Sequence, residues 1–294
     1  MNKQPSLEEF IQFPLEKIKT YAPQTMIYVP SGTRRDAVLH NKKDHGQELY
    51  QYSLDRMIEA YQNIFDHGIK YLFNTAVIPS LFEESTPGYQ ENLWRWLDQG
   101  LAGGPTLAEF QRRGWRVRII FGEKFPQLKA AQERLIQNCP KTSEHNLWFN
   151  IVEDFGMMWR RILSSVQGVN FKKLSELSEH IYEMEIPTAG LYVATGKPTL
   201  SPDLFPPFVM RDRMECYWSE KPGYSLDARQ LREILYDSYF VRKTWRKDKT
   251  GRAAAALEQR YMWENAPTIG LGQRVGPFWY PQSIAMPQPQ EKSL

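Results

Sequence analysis

The sequence predicts an α/β fold: a mostly parallel central sheet flanked by helices on both faces. Three observations lead there. Short, β-prone apolar runs recur along the chain and alternate with segments whose apolar residues fall at helical spacing. No internal repeat or linker interrupts the alternation, so residues 1–281 read as one domain. The polar stretch 282–294 reads as a disordered tail. At 294 residues the chain is long enough to bury a substantial core.

The elements follow in order. Ser6-Leu7-Glu8-Glu9 is a capping box and opens a short helix. Thr25–Val29 is an apolar strand, followed by a loop at Pro30–Arg35. Glu48–Asp66 carries Leu49, Leu54, Met57, Ile58, Tyr61, Ile64 and Phe65 at helical spacing and stops at His67-Gly68. Ile69–Thr75 is a second strand. A helix containing Trp94 and Trp96, then another at Thr106–Arg113, lead to a third strand at Trp115–Phe121. Gln127–Gln137 is helical, and Leu147–Val152 is a strand or buried segment. Lys173–Met184 is a helix, Leu191–Ala194 and Met214–Trp218 are strands, and Ser225 caps a long amphipathic helix reaching Arg242. The proline-rich stretch Pro198–Pro207 is a loop.

Composition excludes several functions. Basic and acidic residues nearly balance, at 37 and 34, and no basic tail or aromatic-basic ladder is present, so nucleic acid is not the expected partner. Two cysteines, Cys139 and Cys216, are too few for a disulfide scaffold or a structural zinc site. They suit a reducing, cytoplasmic setting. The N-terminus lacks a signal-type apolar core, and no apolar run approaches a membrane span.

The loop Pro30-Ser31-Gly32-Thr33-Arg34-Arg35 stands at the carboxyl end of the first strand, where α/β sheets bind ligands. Glycine permits close backbone approach to an anion, and arginine offers forked, permanently charged donors. Taken alone, the loop is equally a phosphate cradle or a surface turn with two solvated arginines. Arg211 and Arg213 form a second pair, suited either to clamping the far side of a diphosphate or to pairing with Asp212. Arg242-Lys243 and His67 read as helix-end residues. Asp36, His40 and His45 flank the loop without a visible partner, and no metal-ligand set emerges. Tyr50, Tyr52, Tyr61, Trp94 and Trp96 suit an ordinary core as well as an aromatic-walled pocket. Gly270-Leu271-Gly272 follows no clear strand and is not a dinucleotide fingerprint.

The strand followed by Gly32-Thr33-Arg34-Arg35 resembles the phosphate loop of the cis-prenyltransferase superfamily, written there Asp-Gly-Asn-Arg-Arg. It is closest to the tuberculosinyl-adenosine transferase and diterpene synthase branch, written Asp-Gly-Thr-Arg-Arg. Phe65-Asp66-His67-Gly68-Ile69, Leu231-Arg232-Glu233-Ile234-Leu235-Tyr236-Asp237, Arg260-Tyr261, and Gly270-Leu271-Gly272 with Phe278-Trp279 extend the likeness in order along the chain.

The resemblance implies a cis-prenyltransferase-like catalytic domain over 1–281. Its activity would be that of a terpene synthase or prenyl transferase. Such an enzyme ionises an allylic isoprenyl diphosphate of C15 or C20, quenches or cyclises the carbocation, and releases diphosphate. By position, Arg34, Arg35 and Ser31 are the catalytic residues. Gly32, Thr33, Tyr50, Tyr52, Arg211 and Arg213 are the substrate-binding ones. No metal-ligating side chain is assigned. Mg2+ is the implied cofactor, but Ser31 stands where the family carries an acid, which leaves the metal requirement open. Arg211-Asp212-Arg213-Met214-Glu215 does not reproduce the family's Arg…Arg-x-Ser signature for isopentenyl diphosphate, which disfavours chain elongation. A homodimer is implied. The alternative is a non-catalytic prenyl-diphosphate-binding or accessory subunit, motivated by Ser31.

Overall fold

The structure is a computed structural model and describes residues 4–122, 125–205, 209–210, 213–244 and 247–282. Its elements are α1 (Leu7–Ile11), α2 (Leu15–Ile18), β1 (Thr25–Val29), α3 (Thr33–Leu39), α4 (Gly46–Asp66), β2 (Tyr71–Val77) and α5 (Pro79–Phe82). Next come α6 (Tyr89–Arg95, extended by a π turn at Trp96–Gly100), α7 (Gly104–Arg112), β3 (Arg116–Ile120), α8 (Pro126–Asn138), β4 (Asn146–Ile151), α9 (Met157–Ser165) and α10 (Leu174–Tyr182). The chain continues through β5 (Leu191–Thr195), β6 (Glu215–Ser219), α11 (Ala228–Tyr236), α12 (Arg252–Glu258), α13 (Arg260–Glu264), β7 (Gly272–Val275) and β8 (Phe278–Pro281).

Strands β1–β6 form one sheet in the order β3-β4-β2-β1-β5-β6. Every neighbouring pair is parallel, as the alternation of strands and helices predicts. A parallel sheet must be covered on both faces, and its strands are therefore near-continuously apolar. One face packs α1, α4, α6–α8 and α11 around Tyr28, Leu72, Val117 and Phe149. The other packs α9, α10 and the segment near Leu204 around Ile27, Phe73, Trp148 and Tyr192. Among the described residues, no helix is long and apolar enough to cross a membrane.

Local chemistry sets the ends of these elements. The Glu9 N–H donates to Ser6 Oγ at 3.2 Å and the Ser6 N–H to Glu9 Oε2 at 2.7 Å, which is the expected capping box. Helix α4 stops at His67 and turns at Gly68, whose φ is +103°. A Cβ on Gly68 would lie 2.9 Å from Lys19 Cα, so only glycine lets α4 leave past this segment.

His67 is more than a cap. Its Nδ1 lies 2.7 Å from Asn63 O, and its Nε2 accepts from Arg232 Nε at 3.1 Å. Arg232 Nη1 also donates to Ile11 O and to Phe13 O. Two motifs that carry the family resemblance thus meet in space and fasten α1, α4 and α11 together. Burial holds the His67 imidazole below its ordinary range, and Arg232 adds to the effect. Burial does the same to His145.

The native state therefore binds fewer protons than the unfolded chain between the depressed native pKa and the unfolded value of about 6.5. Stability is fully present above that value and falls as the pH drops through the window. Urea unfolding midpoints are expected to decline from pH 7 to pH 5.5. A His67→Gln variant is expected to show a shallower decline, and an unchanged slope would count against this assignment.

The structure departs from the sequence reading in four places. Thr33–Arg35, expected in the loop, open helix α3, which runs to Leu39. Helix α9 is additional. Asp227, and not Ser225, caps α11: Gln230 N–H donates to Asp227 Oδ1 at 2.8 Å, while Ser225 Oγ donates to Lys221 O. The helix after Asp227 does reach Arg242 as expected, running to Tyr236 and on as a π turn at Asp237–Val241. The C-terminal region holds α12, α13 and the β7–β8 hairpin, none of which periodicity revealed. The tail at 283–294 lies outside the described residues.

Candidate functional site

Strand order places a crevice between the carboxyl ends of β1 and β5. From β1 the chain leaves through α4, over one face, to β2. From β5 it leaves in the opposite direction, over the other face, to β6. Adjacent strands with diverging connections mark a topological switch point, where open α/β sheets bind ligands. The Ser31–Arg35 loop fills one side of this crevice and Thr195-Gly196-Lys197 the other.

Gly32 sits in the left-handed region with φ +79° and hands the chain to α3. A Cβ there would meet Arg35 Nη2 at 2.6 Å and Nε at 2.8 Å. The bare glycine therefore lets the Arg35 guanidinium fold over the loop backbone and present its forked donors there. Arg35 also lies over the Phe278 ring of β8 at 5.4 Å. Arg34 is exposed, 3.8 Å from Glu84 and 5.1 Å from the Tyr89 ring centroid. Thr33 opens α3 beside them.

Alanine at position 32 would take on a left-handed conformation costing about 1–2 kcal/mol and also push the guanidinium away. Gly32→Ala is expected to weaken pyrophosphate binding at this loop by about 100-fold with a modest drop in melting temperature. Comparing pyrophosphate titration with a thermal melt checks the split.

Ser31 is bound to the end of β5. Its N–H donates to Thr195 Oγ1 at 2.5 Å and its hydroxyl donates to Thr195 O at 2.7 Å. Thr195 Oγ1 lies 3.1 Å from Ser31 O, which also accepts from Gly223 N–H at 2.6 Å. Behind the loop, buried Asp36 accepts from Tyr52 OH at 3.1 Å and lies 3.3 Å from His40 Nδ1. Burial, then the Asp36 carboxylate, push the Tyr52 phenol up to about 12. It therefore stays protonated and donating. Beneath the loop, Tyr28, Tyr61 and Tyr224 meet edge to face, with centroids 5.8–6.5 Å apart. Phe149 and Trp115 continue this aromatic wall from Tyr61. Burial raises all three phenols, so they remain neutral.

The structure thus brings Ser31, Gly32, Thr33, Arg34, Arg35 and Tyr52 together. It does not bring Tyr50 or Arg213. Tyr50 OH donates to Gln99 O at 2.8 Å, facing the α6 end of the core. Arg213 precedes β6, at the amino edge of the sheet. Glu215 is level with Leu191, and Leu191 with Met26. Seven residues of strand rise, roughly 20 Å, therefore separate Arg213 from Ser31. Arg211 lies outside the described residues.

Sequence reading missed Thr195, Lys197, Glu84, Tyr89 and Glu220, and named Phe278 only as part of the resemblance. Glu220 follows β6: burial pushes its carboxyl up, while Arg35 and Lys197 pull it down. Thr195-Gly196-Lys197 carried the same signal as the first loop, a glycine and a cation after an apolar strand, but its neighbour β1 is not legible from the chain.

Mg2+ is usually held by one or two carboxylates plus substrate phosphates. These residues do not fit that role. Ser31 lacks the negative charge of a carboxylate, Glu84 faces Arg34, Glu220 is already drawn on by Arg35 and Lys197, and Asp36 is buried with Tyr52. Among the described residues, no group of three or more acidic, histidine or cysteine side chains could hold a metal.

No protein-family model matches the chain. It is 41% identical over 286 residues to (+)-kolavelool synthase of Herpetosiphon aurantiacus, spanning 97% of this chain and 99% of that protein. It is 21% identical over 307 residues to tuberculosinyl adenosine transferase of Mycobacterium tuberculosis, spanning 94% and 98%. Lavandulyl diphosphate synthase from Lavandula x intermedia, solved in complex with dimethylallyl diphosphate, shares the fold. Its TM-score is 0.59 and its identity 15%, over 75% of this chain and 97% of that one.

Proposed function

Because the chain belongs to the family of (+)-kolavelool synthase, within the cis-prenyltransferase superfamily, we propose that it is a terpene synthase acting on an allylic C15 or C20 prenyl diphosphate. The carrying observation is the Arg35 guanidinium laid over left-handed Gly32 at the switch point. Heterolysis of the allylic C–O bond sends the electron pair to the diphosphate. Arg34 and Arg35, with Lys197 opposite, stabilise the charge that grows on the leaving group. Thr33 helps orient it. The cation, cyclised or not, is then neutralised by losing a proton to form an alkene or by adding water, which gives up a proton.

The reading is tested by incubating the protein with farnesyl, geranylgeranyl and bicyclic diphosphates, with and without Mg2+. Diphosphate release and products by mass spectrometry are the readouts. No release from any of them under any metal condition sinks the enzymatic reading and favours the non-catalytic binding subunit.

We assign the protein to the cytoplasm, a setting that suits its two free thiols, Cys139 and Cys216. A homodimer accords with the apolar residues left open on the C-terminal arm: Leu257 is 71% exposed, Trp263 69% and Ile269 83%. Light scattering on the full chain tests it, and a monomer at micromolar concentration would overturn it.

A further inference from the structure

We propose that Thr195 is a positioning residue for the diphosphate, acting through Ser31, and that this pair takes over the loop-fixing work an acid at position 31 would share with a metal. The inference rests on the proposed function of the loop. Thr195 ends β5 and is 7% exposed, so its hydroxyl is held by packing. It engages Ser31 from both sides, receiving the Ser31 N–H on Oγ1 and the Ser31 hydroxyl on its carbonyl. Its own Oγ1 reaches Ser31 O at 3.1 Å.

Gly196 keeps the approach open. Its φ is +96°, and a Cβ there would come within 3.0 Å of Ser31 Oγ. These bonds fix the residue immediately before Gly32, hence the direction in which Arg34 and Arg35 leave the loop. A carboxylate at position 31 has no hydrogen to give the Thr195 carbonyl and would face its oxygen at hydrogen-bond distance. Ser31 is therefore a matched partner of Thr195 and not a weakened acid.

The test uses the full-length protein, with inorganic pyrophosphate as the binding probe and prenyl diphosphate turnover as the second readout. Thr195→Val keeps the shape and removes the hydroxyl. It is expected to weaken pyrophosphate binding and lower kcat/KM by about 10- to 100-fold, while Thr195→Ser returns both to within about threefold of the starting protein. Ser31→Asp is expected to lose binding, with or without Mg2+. If Thr195→Val does not fold, Ser31→Ala carries the same expectation.

Equal pyrophosphate binding by the starting protein and the hydroxyl-less variant overturns the proposal. So does a serine variant no better than valine, or a gain in binding or Mg2+ response from Ser31→Asp. Pyrophosphate binding without turnover of any prenyl diphosphate sinks the enzymatic reading alone. Turnover with binding unaffected by Thr195→Val sinks the positioning role alone.

Discussion

Arg35→Ala is expected to cut diphosphate release by about 10²- to 10⁴-fold while leaving the melting temperature nearly unchanged. The guanidinium is exposed, folded over Gly32 and lying against Phe278, so its removal opens no core cavity. What is lost is a fixed, forked donor aimed where negative charge grows. In a site built of carboxylates and metal, loss of one arginine would be partly covered by the cation. On the proposed reading the diphosphate charge is shared among Arg34, Arg35 and Lys197, so each would carry a larger share than beside a metal. Arg34→Ala is expected to behave alike, with some relief because Glu84 already draws on that guanidinium at 3.8 Å. Arg35→Lys keeps the charge but loses the planar fork and should fall between alanine and the starting protein. Steady-state release of diphosphate, paired with a circular dichroism melt, measures both halves. Near-normal release by the alanine variant would remove Arg35 from the mechanism.

Arg232→Ala is expected to have the opposite profile: about 2–4 kcal/mol of lost stability, a melting temperature lower by roughly 3–7 °C, and near-normal turnover in the protein that remains folded. Arg232 serves three acceptors at once, Ile11 O, Phe13 O and His67 Nε2. Alanine leaves all three without their donor, and an unmet buried acceptor costs more than the hydrogen bond itself contributes. The loss falls where α1, α4 and α11 join, close to no reacting group. His67→Ala is expected to cost less, and the double variant less than the sum, because both changes remove the same bond. Denaturant melts of the three variants read the coupling. Strict additivity would mean that His67 and Arg232 act separately.

Much of this fold is legible in the chain because a parallel sheet demands buried strands, and buried strands are short apolar runs. Thr25–Val29, Leu147–Val152 and Leu191–Ala194 all stand out on that ground. Helix α9 does not: Met157, Met158 and Ile162 are buried while Trp159 and Leu163 on the same short helix are exposed, so its apolar residues form no clean stripe. Helix α3 is hidden because its first turn, Thr33-Arg34-Arg35-Asp36, reads as a polar loop.

The site shows the same division. Arg34 and Arg35 are visible because glycine, two cations and a strand end lie together in sequence. Thr195 and Lys197 are not, because their nearness to Ser31 depends on strand order, which no local pattern encodes. Arg213 is misleading for a related reason. A cation before a strand and one after it look equally close to a sheet, yet in parallel geometry they stand at opposite edges.

The bond between Ser31 and Thr195 spans 164 positions of chain. Long-range closures of this kind form late, after local helices and neighbouring strands have paid most of the ordering cost. The Ser31–Thr195 closure, and with it the proposed diphosphate cradle, is therefore expected to be among the last parts of the molecule to form during folding. Partly folded chains with abundant helix would have Arg34 and Arg35 without a partner wall, and could not hold the ligand firmly. Pyrophosphate would then select the finished state and stabilise it by mass action. In a refolding time course, the return of pyrophosphate binding should lag behind the return of helical signal, so that the ligand serves as a clock for completion.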